Sequence, residues 1–510
     1  MSFSTVLSAA VEGLTVRFVQ VEADVSGGLP VFHMVGYLAS EVKEAGERVR
    51  TAIRNTGYEY PPRRTVINLS PATVRKRGSS FDLPIAVAIL AALGDVGPIR
   101  MRGCLIIGEL GLDGTVRPVP GILPIVMEAV KNGIFHCIVP RENAAEAALV
   151  REMKVTGVRT LAEAAGYLNC VIRVARTENH AVSSGEDVFA DPDFSQVKGQ
   201  ENVRRAAEIA VAGGHNLLLV GPPGSGKTLT AKCIAGILPP VSEEESLEIT
   251  RIYSIKGLVD REEPLVRKRP FREVHHTVTR AALVGGGAVP EPGEVSLAHG
   301  GVLFLDELAE FRKSVLEALR QPLEERCVHL ARAYGNYTFP ANFILVAAMN
   351  PCPCGCYPDM EKCTCTPVQI QSYLARISQP FLDRIDLSTE APRVRYENLA
   401  DERKAEDSAS IRARVCKARK LQEERYEGTG IRTNSMLDDK AMNEYCGLDE
   451  NGKKMLGQAF DVLGLTARAY HRILKTARTI ADLDGEERIR EGHLAEAIGY
   501  RTLDTKYWRR

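Results

Sequence analysis

The residues with the clearest chemical purpose form an eight-residue loop that is rich in glycine and ends in a lysine and a threonine. In order they are Gly221, Pro222, Pro223, Gly224, Ser225, Gly226, Lys227 and Thr228. Glycines in such a loop let backbone N–H groups surround phosphate oxygens, and a helix that starts there adds its positive end. Lys227 would reach the β- and γ-phosphates of a nucleotide, and the Thr228 hydroxyl would coordinate Mg²⁺. An apolar run precedes the loop and a helical pattern follows it, which favours a phosphate-binding loop over a chance glycine cluster.

Two carboxylates, Asp306 and Glu307, follow the apolar run at 302–305. A buried strand that ends in two acids delivers both to one edge of a sheet, where Asp306 would hold the Mg²⁺ shell. Glu307 would then polarise the attacking water as a general base. An exposed acidic turn is the alternative, and the phosphate-binding loop upstream makes it the weaker one.

A third strand pattern, at 343–349, ends at Asn350, whose amide could align water against the γ-phosphate. The alternative is an amide that only caps the strand end. Two arginines could stabilise charge during phosphoryl transfer, because an arginine lent by another domain or subunit accelerates GTPases by about 10³–10⁵. Arg384 lies among acidic and apolar neighbours, where an exposed salt bridge is the alternative, and Arg468 lies on a predicted C-terminal helix.

The elements that must position these residues fall into three regions. Between about 195 and 394, strand patterns alternate with helical ones, which is typical of a parallel sheet covered by helices. Residues 1–170 also mix β-like runs such as RRTVINLS with helical runs such as FDLPIAVAILAALG, which indicates a separate α/β domain. The polar stretch 171–194 is the predicted linker, and residues 395–510 are mostly helical in pattern.

The composition of the 510 residues is that of a folded globular protein, with 45% hydrophobic and 25% charged residues. Lys+Arg and Asp+Glu both number 65, so any basic surface must be local. The sequence has no apolar stretch long enough for a membrane span and no basic segment before the first apolar run, so we expect a cytoplasmic protein without a signal peptide. Its 12 cysteines are then reduced thiols or metal ligands.

Five cysteines follow Asn350 within one short segment. Four of them could close a tetrahedral zinc site, and the preferred ligands are Cys352, Cys354, Cys363 and Cys365. Their C-x-C spacing is tighter than the usual C-x₂₋₄-C, which lowers the specificity of the pattern. Reduced thiols in a proline-rich turn remain the equal alternative.

The segment between the acidic pair and Asn350 has the pattern of a β-hairpin that turns at Tyr-Gly-Asn. Arg332 and Tyr334 lie near its tip, where they suit phosphate contact and base stacking, so we name them as candidate DNA-binding residues. A solvated edge hairpin is the alternative. The glycine-rich segment Gly285–Gly287 is a second candidate for a substrate loop.

Several further motifs resemble the magnesium-chelatase-like AAA+ family, and more closely its bacterial YifB/ComM branch. They include Gly199-Gln200, the run Ala212–Asn216, Phe271–Thr277, Gly285–Gly287, Pro292–His299 and Leu303–Leu308. The resemblance spans almost the whole chain. It implies a P-loop AAA+ core with a parallel sheet at 195–394, a Lon-protease-like α/β domain before it and a helical lid domain after it.

The resemblance also implies roles for single residues. Lys227 and Thr228 match the Walker A pair, and Asp306 and Glu307 match the Walker B pair. Asn350 matches sensor 1, Arg384 the arginine finger and Arg468 the sensor 2 arginine. Proteins of this family form homo-hexameric rings, so ATP with Mg²⁺ would be hydrolysed where Arg384 completes a neighbour's site.

The N-terminal domain departs from an active Lon protease. Ser80 aligns with the Lon serine, whereas Leu123 stands where Lon has its catalytic lysine. A serine hydroxyl without a base is a poor nucleophile at neutral pH, so we expect no protease activity.

Three functions compete for the whole chain. The first is DNA translocation or branch migration in recombination or natural transformation, as the ComM resemblance implies. The second is a motor subunit of a magnesium chelatase, which the Lon-like domain and the cysteine segment disfavour. The third is a protein remodeller that uses its N-terminal domain to bind polypeptide.

Overall fold

The N-terminal domain is built on a seven-stranded mixed sheet in the order β3-β4-β2-β1-β5-β8-β9. The computed structural model describes residues 3–177, 192–287, 290–332, 335–394 and 405–508. The strands of the N-terminal domain are β1 (Phe3–Glu12), β2 (Thr15–Ser26), β3 (Phe32–Val35), β4 (Arg64–Ser70), β5 (Cys104–Ile106), β6 (Glu109–Leu110), β7 (Val116–Arg117), β8 (His136–Pro140) and β9 (Lys154–Val158). Alternate residues of β2 are buried, which is the period of a strand with one face on the core.

Helices cover this sheet. They are α1 (Ser40–Lys43), α2 (Ala45–Asn55), α3 (Asp82–Leu93), α4 (Ile122–Lys131), α5 (Ala144–Ala147) and α6 (Leu161–Leu168). Helix α3 is apolar on almost every side and is nearly all buried, and it ends at Gly94, which adopts the left-handed conformation. Leu123 lies on α4 with its side chain fully buried.

The central domain holds a five-stranded sheet in which all strands are parallel. Its strands are β10 (Leu217–Val220), β11 (Phe271–Val274), β12 (Val302–Leu305), β15 (Ile344–Met349) and β16 (Leu387–Glu390). The order across the sheet is β11-β12-β15-β10-β16. The three central strands are buried along their whole length, as expected for a parallel sheet covered on both faces, so the predicted α/β fold class is confirmed.

The other elements of this domain surround the sheet. The helices are α7 (Glu201–Gly213), α8 (Lys227–Gly236), α9 (Glu243–Ile255), α10 (Arg280–Val284), α11 (Glu294–Leu297), α12 (Lys313–Ala318), α13 (Arg320–Glu325), α14 (Pro367–Leu374) and α15 (Gln379–Leu382). A separate antiparallel hairpin consists of β13 (Cys327–Arg332) and β14 (Gly335–Pro340), where the sequence predicts one.

The C-terminal region is helical, as predicted. Its helices are α16 (Ser408–Arg425), α17 (Asp439–Tyr445), α18 (Glu450–Leu463), α19 (Ala467–Leu483), α20 (Glu491–Gly499) and α21 (Thr502–Tyr507). Buried residues of α19, such as Ile473 and Ile480, share one hydrophobic cluster with Leu217 of β10. The C-terminal helices therefore pack directly on the central domain.

The N-terminal domain contacts the central domain at α9. The Gly121 N–H donates to Ser254 O at 2.9 Å, and the Ser254 hydroxyl donates to the buried Glu146 carboxylate. Most of the predicted linker lies outside the described residues. Among the helices that are described, none is long and apolar enough to span a membrane.

A buried ionic cluster joins α16 to α19. Asp482 is fully buried and accepts hydrogen bonds from Arg425 at 2.6 and 3.0 Å, from Asn434 at 2.8 Å and from Arg478 at 3.1 Å. The Asp482 carboxylate raises the pKa of Arg425, although burial opposes this. The carboxylate is thus the common partner of two guanidinium groups.

Asp482→Ala would leave these guanidinium groups buried without their carboxylate. We expect the change to lower the free energy of unfolding by about 3–5 kcal/mol, as is usual when one partner of a buried ion pair is removed. Thermal denaturation followed by circular dichroism measures this, with the exposed Asp461→Ala as the control. Equal melting temperatures for the two variants would contradict the role of Asp482.

Candidate nucleotide site

The glycine-rich loop connects β10 to α8 and surrounds the side chain of its own lysine. Gly224 and Gly226 have φ values of +74° and +78°, a backbone conformation that residues with a side chain rarely adopt. Helix α8 begins at Lys227. Lys227 Nζ donates to Gly221 O and Pro222 O, both at 2.8 Å. The ammonium group thus lies inside the loop, where a phosphate would meet it together with the N-terminal end of α8.

Two side chains from neighbouring strands complete this site. Lys227 Nζ donates to Asn350 Oδ1 at 3.2 Å, and the Thr228 hydroxyl donates to Asp306 Oδ2 at 2.8 Å. Burial lowers the pKa of Lys227, while the nearby Asp306 carboxylate acts in the opposite direction. A polyphosphate would add negative charge beside this buried ammonium group and so stabilise its protonated form.

The donor set fits a magnesium ion. The Thr228 hydroxyl and the Asp306 carboxylate lie within hydrogen-bond distance, and hydroxyl and carboxylate oxygens are ligands that Mg²⁺ prefers, with water and phosphate oxygens filling the other positions. The second Asp306 oxygen accepts the Glu307 N–H at 2.9 Å, which fixes the orientation of the carboxylate. These residues would hold Mg²⁺ together with a nucleotide.

Glu307 lies beside this pair and next to His276, a residue for which the sequence predicts no role. Its backbone has a φ of +53°, in the left-handed region. One carboxylate oxygen lies 3.1 Å from Nδ1 of His276, and the His276 ring packs edge-on against Phe311. His276 follows β11, which pairs with β12. The candidate general base therefore lies near a histidine that follows the adjacent strand, and this ring nitrogen makes no hydrogen bond among the described residues.

The two predicted arginines lie at the opposite edge of the sheet. Asp386, which directly precedes β16, accepts the Asn216 N–H before β10 at 2.7 Å, so both residues mark the amino-terminal edge. Arg384 is buried close to this edge, where it donates to Arg320 O at 3.3 Å and pairs with Glu324. The glycine-rich loop is at the carboxyl-terminal edge, so the structure does not bring Arg384 to Lys227 of the same chain.

Arg468 belongs to the same side of the molecule. It is exposed in the first turn of α19, and Arg472, one turn later, pairs with Asp386. Helix α19 therefore contacts the amino-terminal edge of the sheet.

The structure brings the four preferred cysteines together. Their Sγ atoms all lie within 4.8 Å of one another, and the Sγ atoms of Cys352 and Cys354 are 3.4 Å apart. The cysteine segment also contacts the glycine-rich loop, since a Cβ atom on Gly355 would lie 2.3 Å from Cδ of Pro223. The thiol cluster is thus next to the nucleotide site.

The hairpin tip lies beside the glycine-rich segment Gly285–Gly287. Arg332 is exposed, and its Nε donates to Gly287 O at 3.2 Å. Tyr334, the second candidate DNA-binding residue, lies outside the described residues. The two predicted substrate loops are therefore in contact with each other.

Comparison with known proteins agrees with this architecture. The family model described as "Magnesium chelatase, subunit ChlI" matches residues 193–399, "Subunit ChlI of Mg-chelatase" matches 21–143, and "Magnesium chelatase, subunit ChlI C-terminal" matches 405–501.

Several relatives match over nearly their full length. The chain is 42% identical over 505 residues to "Uncharacterized protein YifB" of Salmonella typhimurium, covering 99% of this chain and 98% of the relative. It is 42% identical over 513 residues to "Competence protein ComM" of Haemophilus influenzae, with the same coverage. A shorter match, 31% identical over 155 residues, covers 28% of this chain and 27% of "Lon protease 2" of Bacillus subtilis.

Two substitutions separate nucleotide binding from hydrolysis. We expect Lys227→Ala to abolish ATP binding, because the loop would lose the charge that faces the phosphates. Glu307→Gln should bind ATP with near wild-type affinity but lose hydrolysis by a factor of about 10² or more, since the amide cannot accept a proton. Binding of a fluorescent ATP analogue and phosphate release measure the two steps. Rapid turnover by the Gln variant would remove Glu307 from the mechanism.

Proposed function

The chain belongs to the YifB/ComM branch of the magnesium chelatase family and is an AAA+ ATPase, and from this premise we propose that it is a ring-forming motor that moves along DNA. The ATPase assignment rests on two hydrogen bonds at the glycine-rich loop. Lys227 donates to Asn350, and Thr228 donates to Asp306. Residues from three adjacent strand ends thus form one cradle for Mg–ATP.

The residues of the cradle divide the work of hydrolysis. Bound Mg²⁺ would neutralise charge on the β- and γ-phosphates. Lys227 exchanges its contacts with Gly221 O and Pro222 O for phosphate oxygens, while Asn350 orients the attacking water. Glu307 then accepts a proton from that water as the general base.

The neighbouring subunit supplies the missing cation in our proposal. In a homo-hexamer, the amino-terminal edge of one sheet faces the nucleotide of the next copy, and Arg384 and Arg468 both belong to that edge. Arg384 is paired with Glu324, so its guanidinium must exchange this carboxylate for the γ-phosphate of the neighbour. Hydrolysis then depends on ring assembly.

Contact between the hairpin and Gly285–Gly287 supports DNA as the substrate. Together they present the exposed Arg332 beside a glycine-rich backbone, which allows close approach of a phosphate chain. Arg280 is also exposed on α10, directly before the glycines. The relative named as a competence protein is consistent with a role in DNA uptake or recombination.

Zinc in the four-cysteine cluster is a further part of the proposal. Four thiols within 4.8 Å of one another match the donor set of a closed structural zinc site. Zinc would crosslink the segment that rests on Pro223 and so hold the glycine-rich loop from one side. The site would be structural, because all four positions are taken by protein.

DNA should stimulate the ATPase. We expect single-stranded or branched DNA to raise ATP turnover, and this stimulation should fall steeply between about 50 and 200 mM salt. Arg332→Ala should lose most of the stimulation by DNA while keeping basal turnover. The matched control is Arg488→Ala, an exposed arginine of the C-terminal region. An ATP turnover rate that no form of DNA changes would contradict the proposal. Stimulation by a porphyrin chelatase partner or by unfolded protein would instead support a chelatase motor or a protein remodeller.

Zinc can be tested on the purified protein. We expect one tightly held zinc ion per chain, lost in Cys363→Ser together with part of the thermal stability, because structural zinc contributes directly to folding. Elemental analysis after dialysis measures the stoichiometry. Cys170→Ser, a change at an exposed thiol, should retain the metal. A wild-type protein free of zinc after purification with added zinc would contradict the assignment.

A further inference from the structure

A second group of metal-binding side chains lies at the base of the hairpin. Glu325 is the last residue of α13, and Arg326, with a φ of +56°, turns the chain into β13. Cys327 and His329 follow at alternate positions of that strand, so their side chains point to the same face. The three residues thus converge on one point of the surface.

The distances among the three side chains suit a shared metal ion. His329 Nε2 lies 3.2 Å from Cys327 Sγ and 3.4 Å from a carboxylate oxygen of Glu325, and the three ligand atoms lie within 4.8 Å of one another. Two ligands at zinc bond lengths of about 2.0–2.3 Å and a tetrahedral angle are about 3.3–3.8 Å apart. Small rotations of the side chains would therefore satisfy a tetrahedral centre.

An independent contact fixes the direction of the histidine. His329 Nδ1 lies 2.9 Å from the Thr338 hydroxyl, on the residue that faces His329 across the hairpin. This contact leaves Nε2 turned towards Cys327 and Glu325. Histidines that bind metals usually have their other ring nitrogen held by a hydrogen bond in this way, because it sets the ring orientation.

We propose that Glu325, Cys327 and His329 form an open zinc site. Sulfur and imidazole ligands favour zinc over Mg²⁺ or Ca²⁺, and three protein ligands leave a fourth position for water or for a ligand from outside. Glu325 and His329 are each about half exposed, so an ion from solution can reach the site. An ion pair of such exposed groups alone would contribute little to stability.

The site would join two elements that the proposed motor uses. A metal ion would tie the end of α13 to the hairpin strand, and the residue before Glu325 is Glu324, the partner of Arg384. Metal binding would thus stiffen the connection between the hairpin and the helix that holds the buried arginine. The site itself depends neither on ATP hydrolysis nor on DNA, so it can be tested separately.

The test uses the full chain, purified with zinc and dialysed so that only tightly held metal remains. Titration with Zn²⁺ against a chelator of known affinity should show one further equivalent per chain. Cys327→Ser and His329→Ala should lose it. Thr338→Val should weaken it by about 10–100-fold, as expected for the loss of a hydrogen bond that orients a ligand. The controls are Cys170→Ser and the exposed His33→Ala, which should bind zinc as the wild type does.

Cobalt gives a second readout that identifies the sulfur ligand. Co²⁺ added to the same protein should produce a thiolate-to-metal charge-transfer band, and this band should be weaker in Cys327→Ser than in the wild type because one thiolate ligand is lost. Each variant is compared with the wild type, so the outcome does not depend on whether the four-cysteine cluster holds zinc. The proposal is overturned if Cys327→Ser and His329→Ala bind as much zinc as the wild type, with equal affinity and an unchanged cobalt band.

Discussion

The parallel sheet of the central domain is the constraint on which the candidate site depends. Because all five strands run the same way, the residues that follow β10, β12 and β15 meet at one edge. Lys227, Asp306 and Asn350 are more than a hundred residues apart at their extremes, yet the sheet brings them into hydrogen-bond contact directly or through Thr228. The apolar strands, buried on both faces of the sheet, supply the packing that holds these polar side chains in place at its edge.

The same sheet separates the arginines from the phosphate site. Residues that precede β16 lie at the opposite edge, and Asp386 anchors both Arg472 of α19 and the backbone before β10 there. A single chain therefore has a cradle at one edge and a cation at the other. In the isolated chain Arg384, the arginine proposed to reach the γ-phosphate, is paired instead with Glu324.

Sequence reasoning succeeded where a local pattern determines the geometry. A glycine-rich loop between a strand and a helix is expected at the edge of a sheet. The same holds for two acids that follow an apolar strand. The sequence also predicts the hairpin, but the predicted position of its turn is wrong, because Gly335 and Asn336 are paired residues of β14. The α/β class follows from the order of strand and helix segments.

Contacts between distant segments could not be predicted. The sequence shows two histidines after β11, but only the pairing of β11 with β12 brings His276 to Glu307. The C-x-C spacing left the thiols ambiguous until the fold of the segment brought four sulfurs together. The buried position of Arg384 likewise depends on α13, which no local pattern connects to it.

Subunit mixing tests most directly the claim that two copies complete one site. Lys227→Ala lacks the cradle but keeps Arg384, whereas Arg384→Ala keeps the cradle but lacks the arginine. Each variant alone should be inactive. An equal mixture, allowed to exchange subunits, should regain about a quarter of the wild-type ATPase rate, the share of interfaces that random assembly makes complete. Mixed rings that form but stay inactive would contradict the account.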